Sequence, residues 1–261
     1  MRRTILVALC IIFLCALPLE AALVNASRAG CTFTFWLATS DVTIDGKWTT
    51  ATEWTDAETP PLIPSTFVWR EKWTMPGDIF QNVLFEFFAD RTNDTGDFFQ
   101  ICFDPAANGG AAPQTDDFLF NITGNSKLTV YKGTGTAWST TPYTTYTAAT
   151  LKFAEMLTNT QLNQTPHWVY EFYLDRAGEW DVSGAGYAPG IRVAAYDASN
   201  PTAGVQSWPS NSLATNPSDW GVESGQYASM PEFPIATALG ALVLLSCVAV
   251  VAGFLIRKRK I

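Results

Sequence analysis

Apolar and polar residues alternate along much of the chain between residues 31 and 197. The clearest case is 167–175, in which every second residue from Trp168 to Leu174 is large and apolar. A period of two residues places successive side chains on opposite faces, so this pattern predicts half-buried β-strands. By the same criteria we predict strands at 31–36, 67–73, 82–89, 98–103, 119–122, 127–132, 151–157, 167–175 and 191–197.

Turn residues separate these segments, and no helical periodicity extends over ten residues between them. Gly, Pro and Asn mark turns at 76–78, 108–110 and 124–125. Segment 82–89 is almost continuously apolar, as expected of a central strand that is buried on both faces. Many short strands without a βαβ rhythm indicate an all-β fold. We therefore predict an antiparallel β-sandwich, immunoglobulin- or jelly-roll-like, over residues 31–207.

The segment that follows, 208–230, is rich in Ser, Asn, Pro and Gly and carries few charges. This composition is typical of an extended linker. The sequence therefore predicts a stalk between the sandwich and the C-terminal segment.

The first 26 residues have the pattern of a secretory signal peptide. Arg2 and Arg3 precede an apolar run from Ile5 to Leu17, and small residues follow at Ala21 and Ala22. The alternative is an N-terminal anchor that is not cleaved. Either way, the pattern predicts export of the chain.

The chain ends in an apolar segment and a basic tail. Residues 235–256 contain no charge, and four Lys or Arg residues follow at 257–260. About 20 apolar residues cross a bilayer, and basic residues mark the cytoplasmic side. We predict a transmembrane helix that anchors the domain at the cell surface.

A Pro-Glu-Phe-Pro motif at 231–234 precedes this helix. Together, residues 231–261 resemble the PEF-CTERM sorting signal of archaeal surface proteins. The resemblance implies processing near the motif by a sortase-like enzyme, an archaeosortase. The alternative is a single-pass anchor that is retained.

Charge excludes one class of partner. The whole chain has a net charge of −8. Without the six basic residues of the two ends and Glu20, the net charge of the remainder is −13. Such a surface repels phosphate backbones, so a nucleic acid is excluded as a partner. The charge suits divalent cations, or solubility alone.

Acidic residues flank the predicted strand at 98–103 on both sides. Carboxylates and loop carbonyls are the oxygen ligands that Ca²⁺ prefers, but the spacing is not that of an EF-hand. The alternative is a set of acidic turns that bind nothing. The candidate Ca²⁺ ligands are Asp90, Asp94, Asp97, Asp104, Asp116 and Asp117.

Two cysteines, Cys31 and Cys102, lie outside the predicted signal and membrane segments. In an oxidising compartment they can form a disulfide, the alternative being two separate buried thiols. Asn-X-Thr sequons at Asn93, Asn121 and Asn163 are expected in loops or at strand ends, where glycosylation is feasible.

Two short motifs resemble a known family. Ile44-Asp45-Gly46, followed by Glu53-Trp54, resembles the opening of family 9 carbohydrate-binding modules and of the wider DOMON-like β-sandwich group. The Gly-Asp and Phe-Asp pairs at 96–97 and 103–104, with Asp116-Asp117, agree with that group. The resemblance covers 42–197 and implies a β-sandwich, structural calcium and sugar binding between exposed aromatic residues.

Tryptophans are frequent, with 10 in the chain. Trp54, Trp69 and Trp168 lie in strand-like contexts and are predicted to be core residues. An exposed indole stacks well on the apolar face of a sugar ring. The candidate carbohydrate-binding residues are Trp48, Trp138 and Trp180, which lie in polar, loop-like surroundings.

No pattern indicates catalysis. The chain lacks a Gly-X-Ser-X-Gly elbow, a His-Glu-X-X-His motif and a Cys-pair zinc signature. The sequence therefore predicts a non-catalytic, surface-anchored protein that binds a glycan or cell-envelope polysaccharide and is stabilised by Ca²⁺. One alternative is a structural or adhesion component that binds no free sugar. Another is a haem-binding electron-transfer module that would use Met75 or Met156 with His167.

Overall fold

The computed structural model describes residues 31–35, 37–38, 40–60, 63–74, 80–176, 180 and 188–225. The predicted signal peptide (1–26) and the predicted sorting motif, membrane helix and basic tail (231–261) lie outside the described residues. Within the described ranges, no helix is long and apolar enough to cross a membrane.

Within the described residues eleven strands form, and nine of them coincide with the predicted segments to within two residues. Strand β3 is central in its sheet and buried throughout its described side chains, as its apolar run predicts. The strands are β1 (Thr32–Phe35), β2 (Phe67–Thr74), β3 (Phe80–Phe87), β4 (Phe98–Asp104), β5 (Phe118–Thr123), β6 (Lys127–Lys132), β7 (Leu151–Thr158), β8 (His167–Asp175), β9 (Gly190–Tyr196), β10 (Gln206–Trp208) and β11 (Gly221–Gly225).

The strands form two sheets that pack face to face. The large sheet has the order β1-β11-β9-β4-β5-β6, with β10 also paired to β9, and the small sheet has the order β2-β3-β8-β7. Their inner faces share one aromatic core, in which Phe85, Phe99 and Tyr170 stack with ring centroids 4.1 Å and 5.0 Å apart. Trp69 and Trp168 are buried in the same core. The prediction of a β-sandwich is confirmed.

The prediction of a stalk from residue 208 is wrong for 208–225. Trp208 pairs through β10 with Val193 of β9 and is fully buried between the sheets. Strand β11 inserts between β9 and β1, and it pairs with β1 in parallel, so the large sheet is not purely antiparallel. The prediction from polar composition failed because these strands are short and are held by backbone hydrogen bonds. Residues of almost any type can form such bonds.

A disulfide between Cys31 and Cys102 is also wrong, since both cysteines are free. Cys102 lies on the outer face of β4, whereas Cys31 precedes β1 and packs against the inner core. Two strands, β9 and β11, separate β4 from β1. Three strand spacings amount to about 14 Å, whereas bridged Cα atoms lie no more than about 7 Å apart.

Residues 40–60 cover the outer face of the small sheet and contain the family-like motif. The Glu171 carboxylate of β8 accepts the backbone N–H groups of Asp45 and Gly46, both at 2.9 Å, and the indole N–H of Trp54 at 3.0 Å. Gly46 has φ +80°, and a Cβ there would lie 2.5 Å from the backbone of Glu155. The motif is therefore a structural clamp that fixes this segment to the sheet.

Candidate functional site

The three predicted sugar-binding tryptophans lie in three different layers of the molecule. Trp180 is fully buried between the sheets, where it packs against Phe118 and Phe120, so its prediction as a binding residue is wrong. Trp48 is half-buried on the outer face of the small sheet, and Trp138 is half-buried on the outer face of the large sheet. No two of them can contact the same sugar ring.

The outer face of the large sheet carries a row of half-buried polar side chains. Gln100 of β4 pairs with Asn121 of β5, which pairs in turn with Thr129 of β6. These three side chains point away from the core, because the residues beside them in each strand face inward. The row crosses three strands and is about 10 Å long. We call it the amide row.

Hydrogen bonds hold the amide row in place. The Gln100 side-chain amide donates to Asn121 Oδ1 at 3.0 Å. On the other side, Arg192 Nη1 donates to Gln100 Oε1 at 3.3 Å, and Arg192 Nε donates to the carbonyl of Ser212 at 2.9 Å. The orientation of the Gln100 amide is therefore fixed from both ends. Such a preorganised set of donors and acceptors loses little side-chain entropy when it binds a ligand.

Aromatic rings flank the amide row along the strands. On one side, Phe98 and Tyr196 stack with ring centroids 5.5 Å apart, and both are half-buried. On the other side, Trp138 lies parallel to the buried Trp220, with centroids 6.2 Å apart, and Tyr131 packs against the same cluster. The Trp138 indole N–H donates to the carbonyl of Ala214 at 3.1 Å, which fixes the ring. The face thus combines rigid rings with oriented amides.

The sequons differ in their accessibility. Asn93 is exposed in the loop between β3 and β4, and Asn163 is half-buried in the loop between β7 and β8. Asn121 instead lies in the middle of β5, paired on both sides and hydrogen-bonded to Gln100. The prediction that Asn121 falls in a loop or at a strand end is therefore wrong, and we no longer expect it to be glycosylated.

The six predicted calcium ligands do not converge on one site. Two groups of three carboxylates form instead, each with ligand oxygens within 4.8 Å of one another. They lie at opposite ends of β4, roughly 23 Å apart along the strand. Asp94 belongs to neither group. The groups are Asp90, Asp97 and Asp197, and Asp104, Asp116 and Asp117.

In the first group, Asp90, Asp97 and Asp197, hydrogen bonds within the protein account for the clustering of the carboxylates. Asn125 Nδ2 donates to Asp90 and Asp97 at 3.3 and 3.0 Å, and backbone N–H groups satisfy the remaining oxygens of these two carboxylates. Burial raises the pKa of Asp90 to about 6, with the charges of Asp97 and Asp197 adding to the effect. The group ties the loops at this end of the sandwich together.

The second group leaves one buried oxygen without a hydrogen bond. Asp117 Oδ2 accepts the backbone N–H of Gln114 at 2.7 Å, but Asp117 Oδ1 has no partner among the described residues. Asp117 is fully buried, and burial raises its pKa to about 8, with Asp104 and Asp116 contributing. An unpaired buried carboxylate oxygen beside two further carboxylates suits a cation.

The environment of His167 argues against the haem alternative. Its Nδ1 lies 2.8 Å from the carbonyl of Thr165, and its Nε2 lies 3.0 Å from Glu86 Oε2. Both ring nitrogens are therefore engaged, and His167 is fully buried. Met75 lies outside the described residues.

Sequence reasoning missed Asp197 as a member of a carboxylate group, and Gln100 and Asn121 as members of the amide row. Asp197 is distant in sequence from Asp90 and joins it because β9 runs antiparallel to β4. Gln100 and Asn121 do carry a signal in the sequence, since each is a polar residue inside an otherwise apolar strand. A polar residue in such a strand marks its outer face.

No protein-family model matches the sequence, and no curated protein matches it significantly. The fold is similar to that of a family 9 carbohydrate-binding module from Caldicellulosiruptor kristjanssonii in complex with cellotriose, with a TM-score of 0.50 and 15% identity over 77% of this chain and 97% of the module. A family 9 module from the same organism in complex with glucose gives a TM-score of 0.49 and 14% identity over 77% of this chain and 100% of the module. The likeness to the cellotriose complex confirms that the predicted resemblance holds for the β-sandwich fold.

Proposed function

We propose that this protein binds carbohydrate on the outer face of its large sheet and does not cleave it. The observation that carries the proposal is the fixed amide row between two groups of half-buried aromatic rings. Sugar hydroxyls both donate and accept hydrogen bonds, and side-chain amides offer both functions. Aromatic rings supply surface for the apolar faces of the sugar. The similar sandwich of the module solved with cellotriose supports the same ligand class.

The composition of this face favours binding without catalysis. Hydrolysis of a glycosidic bond requires two carboxyl groups on either side of the scissile bond. The amide row instead consists of two amides and a hydroxyl, from Gln100, Asn121 and Thr129. These groups orient a sugar but neither protonate a leaving group nor activate a water.

Replacing Asn121 by Ala should weaken the binding of cellotriose roughly tenfold, because one oriented amide contributes about 1.4 kcal/mol. Isothermal titration calorimetry of the purified full chain measures this effect. The detergent must be zwitterionic, since a detergent with a sugar headgroup would compete. Asn159→Ala, which removes an exposed amide on the loop after β7, is the matched control and should bind as the wild type does.

Equal affinity of the wild type and Asn121→Ala would contradict the location of the site. If the wild type bound neither cellotriose nor xylotriose, mannotriose or laminaritriose, carbohydrate binding itself would be refuted. The remaining function would then be a structural or adhesion role at the cell envelope.

We also propose that a calcium ion stabilises the loop between β4 and β5 through Asp104, Asp116 and Asp117. The unpaired Asp117 Oδ1 supports this, because a buried acceptor without a partner costs about 1–3 kcal/mol and more when charged. Bound Ca²⁺ would offset two of the three negative charges and hold the loop.

Adding Ca²⁺ at about 100 times its dissociation constant should stabilise the wild type by about 2.7 kcal/mol relative to EDTA. Asp117→Asn should abolish this response. Asp94→Asn, outside both carboxylate groups, is the control that should keep it. Thermal unfolding followed by circular dichroism measures the effect, and a melting temperature that is the same in Ca²⁺ and EDTA would remove the ion from the proposal.

Surface anchoring is a further part of the proposed function. The apolar and basic composition of 235–261 and the export signal in 1–26 support it. The domain would then present its glycan-binding face outside the cell, held by the C-terminal helix or by a lipid added after sortase-like processing. Recovery of the native chain from the soluble fraction of lysed cells would contradict this.

A further inference from the structure

The hydrogen bonds of the amide row run in one direction. Arg192 Nη1 donates to Gln100 Oε1 at 3.3 Å, and Gln100 Nε2 donates to Asn121 Oδ1 at 3.0 Å. A guanidinium has donors only, so it holds the Gln100 amide with its oxygen toward Arg192 and its NH2 group toward Asn121. The oxygen of Asn121 then faces Gln100, and the NH2 group of Asn121 is left at the end of the series.

The NH2 group of Asn121 is available to a ligand. It has no hydrogen bond among the described residues, and Nδ2 does not belong to their buried unpaired atoms. The Asn121 side chain is half-buried on the outer face of the sheet, as is that of its neighbour Thr129 on β6. The amide row therefore presents the N–H groups of Asn121 to the surface, whereas its oxygen is already engaged.

The position of Arg192 on β9 allows it to act on the amide row. Arg192 pairs with Cys102 of β4, and the residue that pairs with Gln100 is Ala194. The small side chain of Ala194 leaves room beside Gln100, so the guanidinium reaches the Gln100 oxygen diagonally across the two strands. The direction of the row is thus set by a residue from a neighbouring strand.

Arg192 is a buried cation that takes part in none of the ion pairs among the described residues. A buried charge without an ionic partner is costly unless hydrogen bonds compensate it. Arg192 Nε donates to the carbonyl of Ser212 at 2.9 Å, and Nη1 also lies 3.8 Å from Cys102 Sγ. Because only 4% of its surface is exposed, Arg192 influences a ligand through Gln100 and not by direct contact.

We propose, on the basis of carbohydrate binding at the amide row, that Arg192 is a positioning residue that sets the direction of this row. Asn121 then presents N–H donors to an oxygen of the bound sugar. Hydroxyl, ring and glycosidic oxygens of a sugar all accept hydrogen bonds. The site therefore selects a sugar by an acceptor oxygen opposite Asn121, and not by a hydroxyl that donates there.

Asn121→Asp is the most informative variant, because the carboxylate keeps the acceptor for Gln100 and removes the N–H donors. Its melting temperature without ligand should be close to that of the wild type, since the hydrogen bond from Gln100 Nε2 is preserved. Its affinity for cellotriose should fall about tenfold or more, because an acceptor would face the acceptor oxygen of the sugar. Calorimetric titration of the full chain in zwitterionic detergent measures the affinity. Asn159→Asp places the same charge on the exposed loop after β7 and should bind as the wild type does.

Arg192→Met removes the donor that orients Gln100, so this amide has to be immobilised when a sugar binds. Binding of cellotriose should weaken about threefold, since ordering one such side chain costs that much affinity. Arg192→Lys keeps a cationic donor and should restore most of the affinity, which a role in packing alone would not explain. Arg70→Met, the same substitution on the outer face of the small sheet, is the matched control and should leave binding unchanged.

An NMR measurement on the ligand-free protein tests the direction without any sugar. The side-chain NH2 signals of Gln100 and Asn121 are assigned by their loss in Gln100→Glu and Asn121→Asp. One N–H of Gln100 should exchange with solvent more slowly than either N–H of Asn121, because only Gln100 donates within the row. Saturation with cellotriose should shift the Asn121 signals and slow their exchange.

The outcomes separate the direction of the row from the proposed function. If Asn121→Asp binds cellotriose as tightly as the wild type, or if Asn121 exchanges more slowly than Gln100, the direction is refuted and the amide row stands. Wild-type affinity of Arg192→Met would refute Arg192 as a positioning residue. If neither Asn121→Ala nor Asn121→Asp alters the binding of cellotriose, the proposed location of the site fails and the role of Arg192 fails with it.

Discussion

Replacing Arg176 by Met should lower the free energy of unfolding by about 3–5 kcal/mol, because it strands a charge in the interior of the sandwich. Arg176 and Glu223 are both fully buried, and Arg176 Nη1 donates to Glu223 Oε1 at 2.6 Å. Gln81 Nε2 donates to the same carboxylate at 3.2 Å. Without the guanidinium, Glu223 loses its only cationic partner among the described residues.

A second carboxyl group increases the expected effect. Burial and the neighbouring charge of Glu223 raise the pKa of Glu71 well above its usual value, while Arg176 lowers it. Burial also raises the pKa of Glu223, against the opposing effect of Arg176. Burial and the charge of Glu223 therefore favour the neutral form of Glu71, while Arg176 offsets the charge of Glu223. Arg176 is therefore the positive charge that allows two acidic residues to lie in this core.

Urea unfolding at pH 7 measures the loss, and the Arg176→Met/Glu223→Gln double variant is the control. Removing both charges avoids the stranded carboxylate, so the double variant should recover much of the stability. The stranded-charge explanation would be contradicted if Arg176→Met were as stable as the wild type. It would also be contradicted if the double variant were no more stable than Arg176→Met.

The sign of the pH dependence follows from the raised pKa of Glu223. In the single variant the folded state binds a proton at Glu223 more tightly than the unfolded state does. Its free energy of unfolding should therefore fall as pH rises above about 4.5, the ordinary value for glutamate. The deficit relative to the wild type should be smaller at pH 5 than at pH 8.

Replacing Glu171 by Ala should destabilise the protein by about 3–5 kcal/mol, because it leaves three buried donors without an acceptor. The donors are the backbone N–H groups of Asp45 and Gly46 and the indole N–H of Trp54. Burial raises the pKa of Glu171 to about 7, although the three hydrogen bonds oppose this rise. The three hydrogen bonds therefore stabilise the clamp, whereas burial of the Glu171 carboxylate destabilises its charged form.

Thermal unfolding measures this loss, and Glu171→Gln is the control. The glutamine keeps one oxygen for the two backbone amides and presents a donor to Trp54, so it should lose less than the alanine variant. If Glu171→Ala melted at the wild-type temperature, residues 40–60 would not be held by the clamp.

The alternation of apolar and polar residues by itself determines most of the strands. Side chains alternate across a strand whatever its neighbours are, so the period of two in β8 and the apolar run of β3 are local signals. The β-sandwich follows from these signals, because short alternating strands without helices have few other ways to bury one face. The assignment of Trp69 and Trp168 to the core rests on the same reason, whereas Trp54 lies in a turn of the covering segment and is buried against the outer face of the small sheet.

The tertiary structure alone decided which residues meet. Asp197 joins Asp90 because two distant strands pair antiparallel, and one run of aspartates divides into two groups because a strand separates them. Trp180 has the sequence context of a loop residue and is nevertheless buried, because it packs against Phe118 and Phe120 of β5. The pairing of β11 with β1 depends on backbone hydrogen bonds. Residues of almost any type can form these bonds, so the sequence does not indicate the pairing. The sequence therefore predicted the strands and their faces, whereas the amide row exists only because β4, β5 and β6 lie side by side.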